Sequence, residues 1–97
     1  TGSDGTGLRI VERLGHTLNP TYAALTPVTA EPAPFGELSG ISLQVTLSAT
    51  SAAHSASARG GFLFTHRGYS GPSVLNVSHV AVRARAEHTS ARVAVQW

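Results

Sequence analysis

Between residues 41 and 48 the chain alternates without a break. Ile41, Leu43, Val45 and Leu47 are apolar, and Ser42, Gln44, Thr46 and Ser48 are polar. A period of two sends successive side chains to opposite faces, so this segment is expected as a strand with one buried and one wet face. A second strand is expected over 59–65, where Phe62, Leu63 and Phe64 form an apolar triplet that reads as burial on both sides. The Ser- and Ala-rich residues 51–58 between them read as a hairpin connection. Val80, Val82, Ala84 and Ala86 alternate with Ala81, Arg83, Arg85 and Glu87, and Val93, Val95 and Trp97 alternate again beyond the polar turn 88–90. These last two runs are expected as a closing β-hairpin.

A different period governs two other stretches. Leu8, Ile10, Val11 and Leu14 recur at helical spacing with Arg9, Glu12 and Arg13 on the opposite side. That pattern predicts a short amphipathic helix over about 5–14, capped by Ser3, Asp4 or Thr6 and stopped by Gly15. A second short helix is expected over about 71–78, opened by Pro72 with Val74, Leu75 and Val77 as its apolar stripe. Pro20, Pro27, Pro32 and Pro34 all fall within 16–40. Pro27 cannot donate to a ladder, so the extended run 22–30 belongs at an edge or bulge, and 31–40 reads as a loop. The expected fold class is mainly β: a small antiparallel β-barrel with two short helices, forming one domain over 1–97.

Composition narrows the function more than the fold. The chain has 97 residues, 41% of them hydrophobic and 12% charged, and it contains neither Cys nor Met. Without Cys there are no disulfide scaffolds, thiolate zinc sites or cysteine nucleophiles. No apolar run reaches the ~18–20 residues that would span a bilayer. The start on Thr1 with no Met anywhere is expected either of a chain whose N-terminal piece was processed away or of a segment of a longer protein. All seven cations are Arg, and they are scattered; of these only Arg83 and Arg85 would share a strand face, with no aromatic between them. On that pattern nucleic acid is not an expected partner, nor is a membrane.

Candidate chemistry is sparse. His16, His54, His66, His79 and His88 show no ligand spacing and no accompanying carboxylates, so no metal site is expected. Ser70, in Gly68-Tyr-Ser-Gly-Pro72, lacks the Gly-x-Ser-x-Gly spacing of a nucleophile elbow and reads instead as a helix cap. Gly2, Gly5 and Gly7 lead into the first helix, an arrangement that can bring backbone amides close to an anion. No strand precedes them, as a dinucleotide fingerprint would require.

Longer blocks carry more information. Gly61-Phe-Leu-Phe-Thr-His-Arg-Gly-Tyr-Ser-Gly-Pro-Ser-Val-Leu-Asn-Val-Ser78 resembles the LFTHxGxSGP segment of bacterial NAD(P)/FAD-dependent oxidoreductases, the aminoacetone-oxidase-like or BaiN-like flavoproteins. Thr1-Gly-Ser-Asp-Gly-Thr-Gly-Leu8 with Leu14-Gly-His-Thr17 resembles the glycine block of that family. Ala24-Leu-Thr-Pro-Val28 and Glu37-Leu-Ser-Gly-Ile-Ser-Leu43 resemble two further blocks, in the same order. Leu8 stands where the family usually has an aromatic, and Thr26 and Val28 vary the proline block.

The resemblance implies a cytoplasmic β-barrel insert, or cap, within a larger flavoprotein, flanked by an FAD-binding domain and a helical bundle. Such a cap would cover the flavin and help shape the substrate site. FAD would belong to the full-length parent, with NAD(P)H as a possible hydride source and no cofactor expected on the fragment itself. By the same resemblance Thr1, Gly2, Ser3, Gly5 and Gly7 would lie near the cofactor, and Thr65, His66, Gly68, Ser70, Gly71 and Pro72 would form a loop facing the flavin. His66 would either orient a substrate or brace that loop. No catalytic residue is assigned, and the isolated fragment is expected to be inactive. The alternative is a stand-alone barrel that binds a peptide or protein. Severed from its neighbours, the surface around Phe62, Phe64 and Tyr69, or the end near Trp97, is expected to carry an apolar patch and to leave room for self-association.

Overall fold

The computed structural model describes residues 2–97. Helix α1 spans Thr6–Arg13; the strands are β1 (Val28–Thr29), β2 (Ser42–Ser51), β3 (Ser55–Thr65), β4 (Gly68–Ser70) and β5 (Ala91–Gln96), and helix α2 spans Pro72–Ala86. The five strands form one sheet in the order β1-β4-β3-β2-β5, with every neighbouring pair antiparallel. β2 and β3 are joined by a tight turn in which the Ser51 N–H donates to the His54 carbonyl at 2.8 Å. β3 and β4 are joined through His66 and Arg67.

The alternation expected over 41–48 buries its second half only: Leu43 is 42% exposed, and Ile41, just before β2, is 46% exposed. Val45, Leu47 and Ala49 are buried on the inner face, whereas Ser48 and Thr50 stay exposed on the other. Register places Ala58 and Val95 on either side of Leu47, and Ala56 and Val93 on either side of Ala49. α2 packs on this inner face through Val74, Val77, Val80 and Ala84, each at most 1% exposed. The sheet is curled around it. Trp97, just beyond β5, reaches past β2 to stack on Phe64 of β3 at 6.3 Å and 17°. The result is a half-barrel with α2 in its hollow.

Glycine fixes where the helix enters. Gly71 precedes α2 at φ 97° and ψ 164°, and a Cβ there would lie 2.6 Å from the Gly61 carbonyl oxygen of β3. The first turn is then tied to β3 by the buried Ser73 hydroxyl, which donates to that same Gly61 carbonyl at 2.9 Å. Gly68 has a comparable role on the other side, since a Cβ there would collide with the Val28 backbone of β1.

Several expectations are corrected. α2 continues to Ala86 rather than ending near residue 78, so Val80–Glu87 is not a strand. The terminal hairpin is therefore absent, and β5 instead pairs with β2. Most of 51–58 is strand: β3 begins at Ser55, with Ala56 and Ala58 turned inward. Ser70 belongs to β4 and is no cap; Gly71 occupies the N-cap position and no side chain caps α2. Phe62 and Phe64 are buried, so they are not the exposed patch. The position of the first helix and the edge position after Pro27 agree with the reading, but Gly5, not Ser3, Asp4 or Thr6, is the N-cap of α1, and no side chain caps it. α1 ends in a Schellman motif, Gly15 donating to Glu12 and His16 to Val11.

Gly71→Ala is expected to lower stability by at least ~2 kcal/mol, from backbone strain together with the clash on Gly61. Thermal unfolding checks this; an unchanged midpoint would mean that the helix entry is not so constrained.

Candidate functional site

The curl of the sheet leaves an apolar hollow of about 210 Å³ between β5, β3, β4 and the first turn of α2. Phe62, Phe64, Tyr69 and Trp97 form its aromatic wall, closed by aliphatic residues that include Leu47, Val74 and Val95. Phe62 lies 5.1 Å from Phe64 edge-on and 5.2 Å from Tyr69. Trp97 and Phe35 stand at the rim, exposed at 71% and 48%. No Asp, Glu, His, Lys or Arg lines the hollow, whose polar side-chain groups are the Tyr69 hydroxyl and the Trp97 indole N–H, so it can enclose an apolar surface.

The residues of the signature loop are gathered at one end of the sheet. Thr65 ends β3, His66 is exposed at the hairpin tip, Gly68 and Ser70 bound β4, and Gly71 and Pro72 open α2. The loop is braced from outside. The Ala30 N–H donates to the Arg67 carbonyl at 3.0 Å, and Val28 pairs with Tyr69. The two glycines of the loop are there because backbones approach too closely for a Cβ, which is an architectural demand.

The glycine lead-in is elsewhere. Thr1 lies outside the described residues. Gly2, Ser3, Gly5 and Gly7 accompany α1, which buries none of its residues and makes no substantial contact with the sheet or α2. The structure therefore does not bring the two sets of site residues together. At the start of α1 the Asp4 carboxylate accepts the Thr6 N–H at 2.9 Å, and the Arg9 guanidinium donates to the Asp4 carbonyl at 2.9 Å. The hydrogen bonds from Thr6 hold the Asp4 carboxyl below its usual range. An anion at this helix terminus would find the Thr6 amide already taken and a carboxylate beside it. Together with a hollow that presents no polar cradle, this means that these residues do not fit FAD on their own.

Sequence reasoning missed one organising residue, Ser78, the last of the LFTHxGxSGP block. It is 1% exposed on α2, and its hydroxyl accepts the Thr26 N–H at 3.1 Å while donating to Leu75 at 2.8 Å. It thus fastens the 24–28 block to α2. Gly40 donates to the Phe64 carbonyl at 2.9 Å, and Phe64 donates to the Ile41 carbonyl at 3.0 Å, fastening the 37–43 block to β3. Three blocks separated along the chain are therefore one packed unit. A buried Ser inside an apolar helical stripe was the available signal.

The description of this unit agrees with a known family. The family model for the HI0933-like protein barrel and H2TH domain matches residues 22–97, and the chain belongs to that family. A protein of Escherichia coli (strain K12) named ribosomal RNA dihydrouridine synthase is 36% identical over 77 residues, covering 79% of this chain and 19% of that protein. A Haemophilus influenzae (strain Rd) protein of the same name is 40% identical over 80 residues, covering 80% of this chain and 19% of that protein. The chain thus spans about one fifth of the length of these curated relatives. No helix among the described residues is long and apolar enough to cross a membrane.

Because the folded Asp4 carboxyl titrates below its unfolded value, its support for the first turn of α1 is present above the ordinary carboxylate range and is lost as pH falls through the folded value. The Thr6 amide resonance should shift with that titration, and Asp4→Asn should abolish the step; a pH-independent Thr6 amide would contradict the assignment.

Proposed function

We propose that this chain is the insert, or cap, domain of an FAD-dependent oxidoreductase whose substrate is a uridine of ribosomal RNA. The observation that carries the reading is the set of apolar surfaces left without a partner. Leu8, Ile10 and Val11 of α1 are each more than two-fifths exposed, and Leu14 just beyond it is 74% exposed. Phe35 and Trp97 add a second apolar rim at the mouth of the hollow. A larger polypeptide would cover both, as the greater length of the relatives allows.

Reduction of a uridine to dihydrouridine adds two electrons and two protons across one ring double bond. Among the described residues nothing supplies electrons, so the redox chemistry belongs to a cofactor held by the rest of the polypeptide. What this chain contributes is enclosure: an uncharged wall that excludes water, and a rigid hairpin whose tip carries His66. In this reading the loop of Thr65, His66, Gly68, Ser70, Gly71 and Pro72 faces the flavin. The lead-in of Gly2, Ser3, Gly5 and Gly7 runs along the junction with the FAD-binding domain. The likeness to aminoacetone-oxidase-like and BaiN-like flavoproteins, the use of NAD(P)H, the flanking helical bundle and a cytoplasmic location are parts of the same proposal.

A graft tests it. Residues 22–97 are exchanged for the matching segment of the Escherichia coli relative, and dihydrouridine in ribosomal RNA is measured by mass spectrometry in cells lacking the native protein. The expected outcome is retained modification. A folded, normally accumulating chimera that leaves the RNA unmodified would overturn the assignment.

A further inference from the structure

The outer face of the sheet is built differently from everything else in the molecule. On β2 it presents Gln44, Thr46, Ser48 and Thr50, on β3 Ser55, Ser57 and Arg59, and on β5 Arg92, Ala94 and Gln96. Arg59 of β3 and Gln96 of β5 both stand opposite Thr46, so the three side chains form one row across three strands. Gln44 lies in the adjoining row, and a groove of about 210 Å³ is lined by Arg59, Thr46, Gln44 and Gln96 together with Val45 and Trp97. Arg92 stands opposite Thr50, four residues further along β2, or ~14 Å at about 3.4 Å per residue.

No carboxylate neutralises this face. The five acidic residues, Asp4, Glu12, Glu31, Glu37 and Glu87, all lie outside the strands. The ion pairs of the described residues use Arg9 and Arg83, leaving Arg59 and Arg92 unpaired and exposed. Scattered in sequence, these two arginines are brought by the fold onto one surface; Arg83 and Arg85, the pair that looked adjacent on a strand, lie two residues apart on α2.

We propose that the outer face of β3, β2 and β5 is a contact surface for single-stranded RNA. Arg59 and Arg92 meet phosphates, and the carboxamides of Gln44 and Gln96 pair with the edge of an unstacked base. The charge has the sign a polyanion requires, and around the arginines the face is mostly hydroxyls and amides, with Ala94 and the half-buried Leu63 its apolar members. A carboxamide carries a donor and an acceptor side by side, matching the carbonyl and the ring N–H of uracil. That the RNA is ribosomal rests on the proposed function; the face itself does not.

The test is fluorescence anisotropy of a labelled short oligouridylate titrated with the 97-residue chain at several salt concentrations. Binding is expected to weaken with salt. Joint Arg59→Gln and Arg92→Gln should reduce affinity at least tenfold and flatten the salt slope by ~1.4, given about 0.7 per phosphate contact on a single strand. Gln44→Ala with Gln96→Ala should erase preference for oligouridylate over oligoadenylate and leave the salt slope unchanged. Arg9→Gln with Arg13→Gln, on α1, should change neither. Absence of binding, indifference to the Arg59 and Arg92 changes, or equal affinity for inorganic polyphosphate would overturn the proposal. The grafted enzyme separates the two claims. Normal dihydrouridine levels with both arginines replaced would sink this surface and spare the proposed function. An inactive wild-type graft whose chain still binds RNA through these arginines would do the reverse.

Discussion

Two contacts between backbones hold the architecture in place. At Gly71 the chain turns from β4 into α2 with no room for a side chain against Gly61, and at Gly68 it passes β1 as closely. Because α2 must enter there, it lies across the inner face of the sheet and not beside it. The buried Ser73 hydroxyl secures the entry. Everything inward of that point follows: Val74, Val77 and Val80 meet Val45, Leu47 and Ala49 in one cluster. The aromatic residues that α2 leaves uncovered become the wall of the hollow. Each large aromatic brings more buried area than an aliphatic neighbour and adds edge-to-face contacts, typically about 0.5–1.5 kcal/mol per pair.

The same geometry divides the surface by chemistry. The inner face is spent on α2 and on an uncharged hollow; the outer face carries hydroxyls, amides and two free arginines. A half-barrel with β1 and β5 as open edges, an apolar rim at Trp97 and an amphipathic α1 that buries nothing makes sense as one part of a larger body. The HI0933-like family to which it belongs, and the roughly fourfold greater length of its relatives, fit that view.

Much of the fold was legible in the residues. Strict alternation over 41–48 identified β2 and, at Val45 and Leu47 but not at Ile41 and Leu43, its buried face, and helical spacing with Gly15 located α1. The misreadings share a physical cause. From Val80 to Glu87 apolar residues fall at every second position, yet Ala84 also lies four residues from Val80, so both periods are satisfied and short windows cannot choose. Ala is a strong helix former, and the helix begun at Pro72 had no stop signal before His88, the residue with positive φ. In 51–58 the alternation was present but written in Ser and Ala, which have low strand propensity. Small residues are what α2 permits beneath it. The candidate site was legible as motif blocks, but not as a site. Hydrogen bonds from Thr26 to Ser78 and from Gly40 to Phe64 join positions far apart in sequence, and the common face of Arg59 and Arg92 exists only once β5 pairs with β2.

The proposed insert role requires that α1 and the hollow be covered by another body, and α1 gives the most direct reading of it. Amide hydrogen exchange of residues 6–13 can be compared between the 97-residue chain and a polypeptide of the relatives' length that contains it. The account predicts rapid exchange in the short chain, because α1 buries no residue, and strong protection in the long one, with the amides of α2 slow in both. Equal exchange of α1 in the two contexts would contradict it.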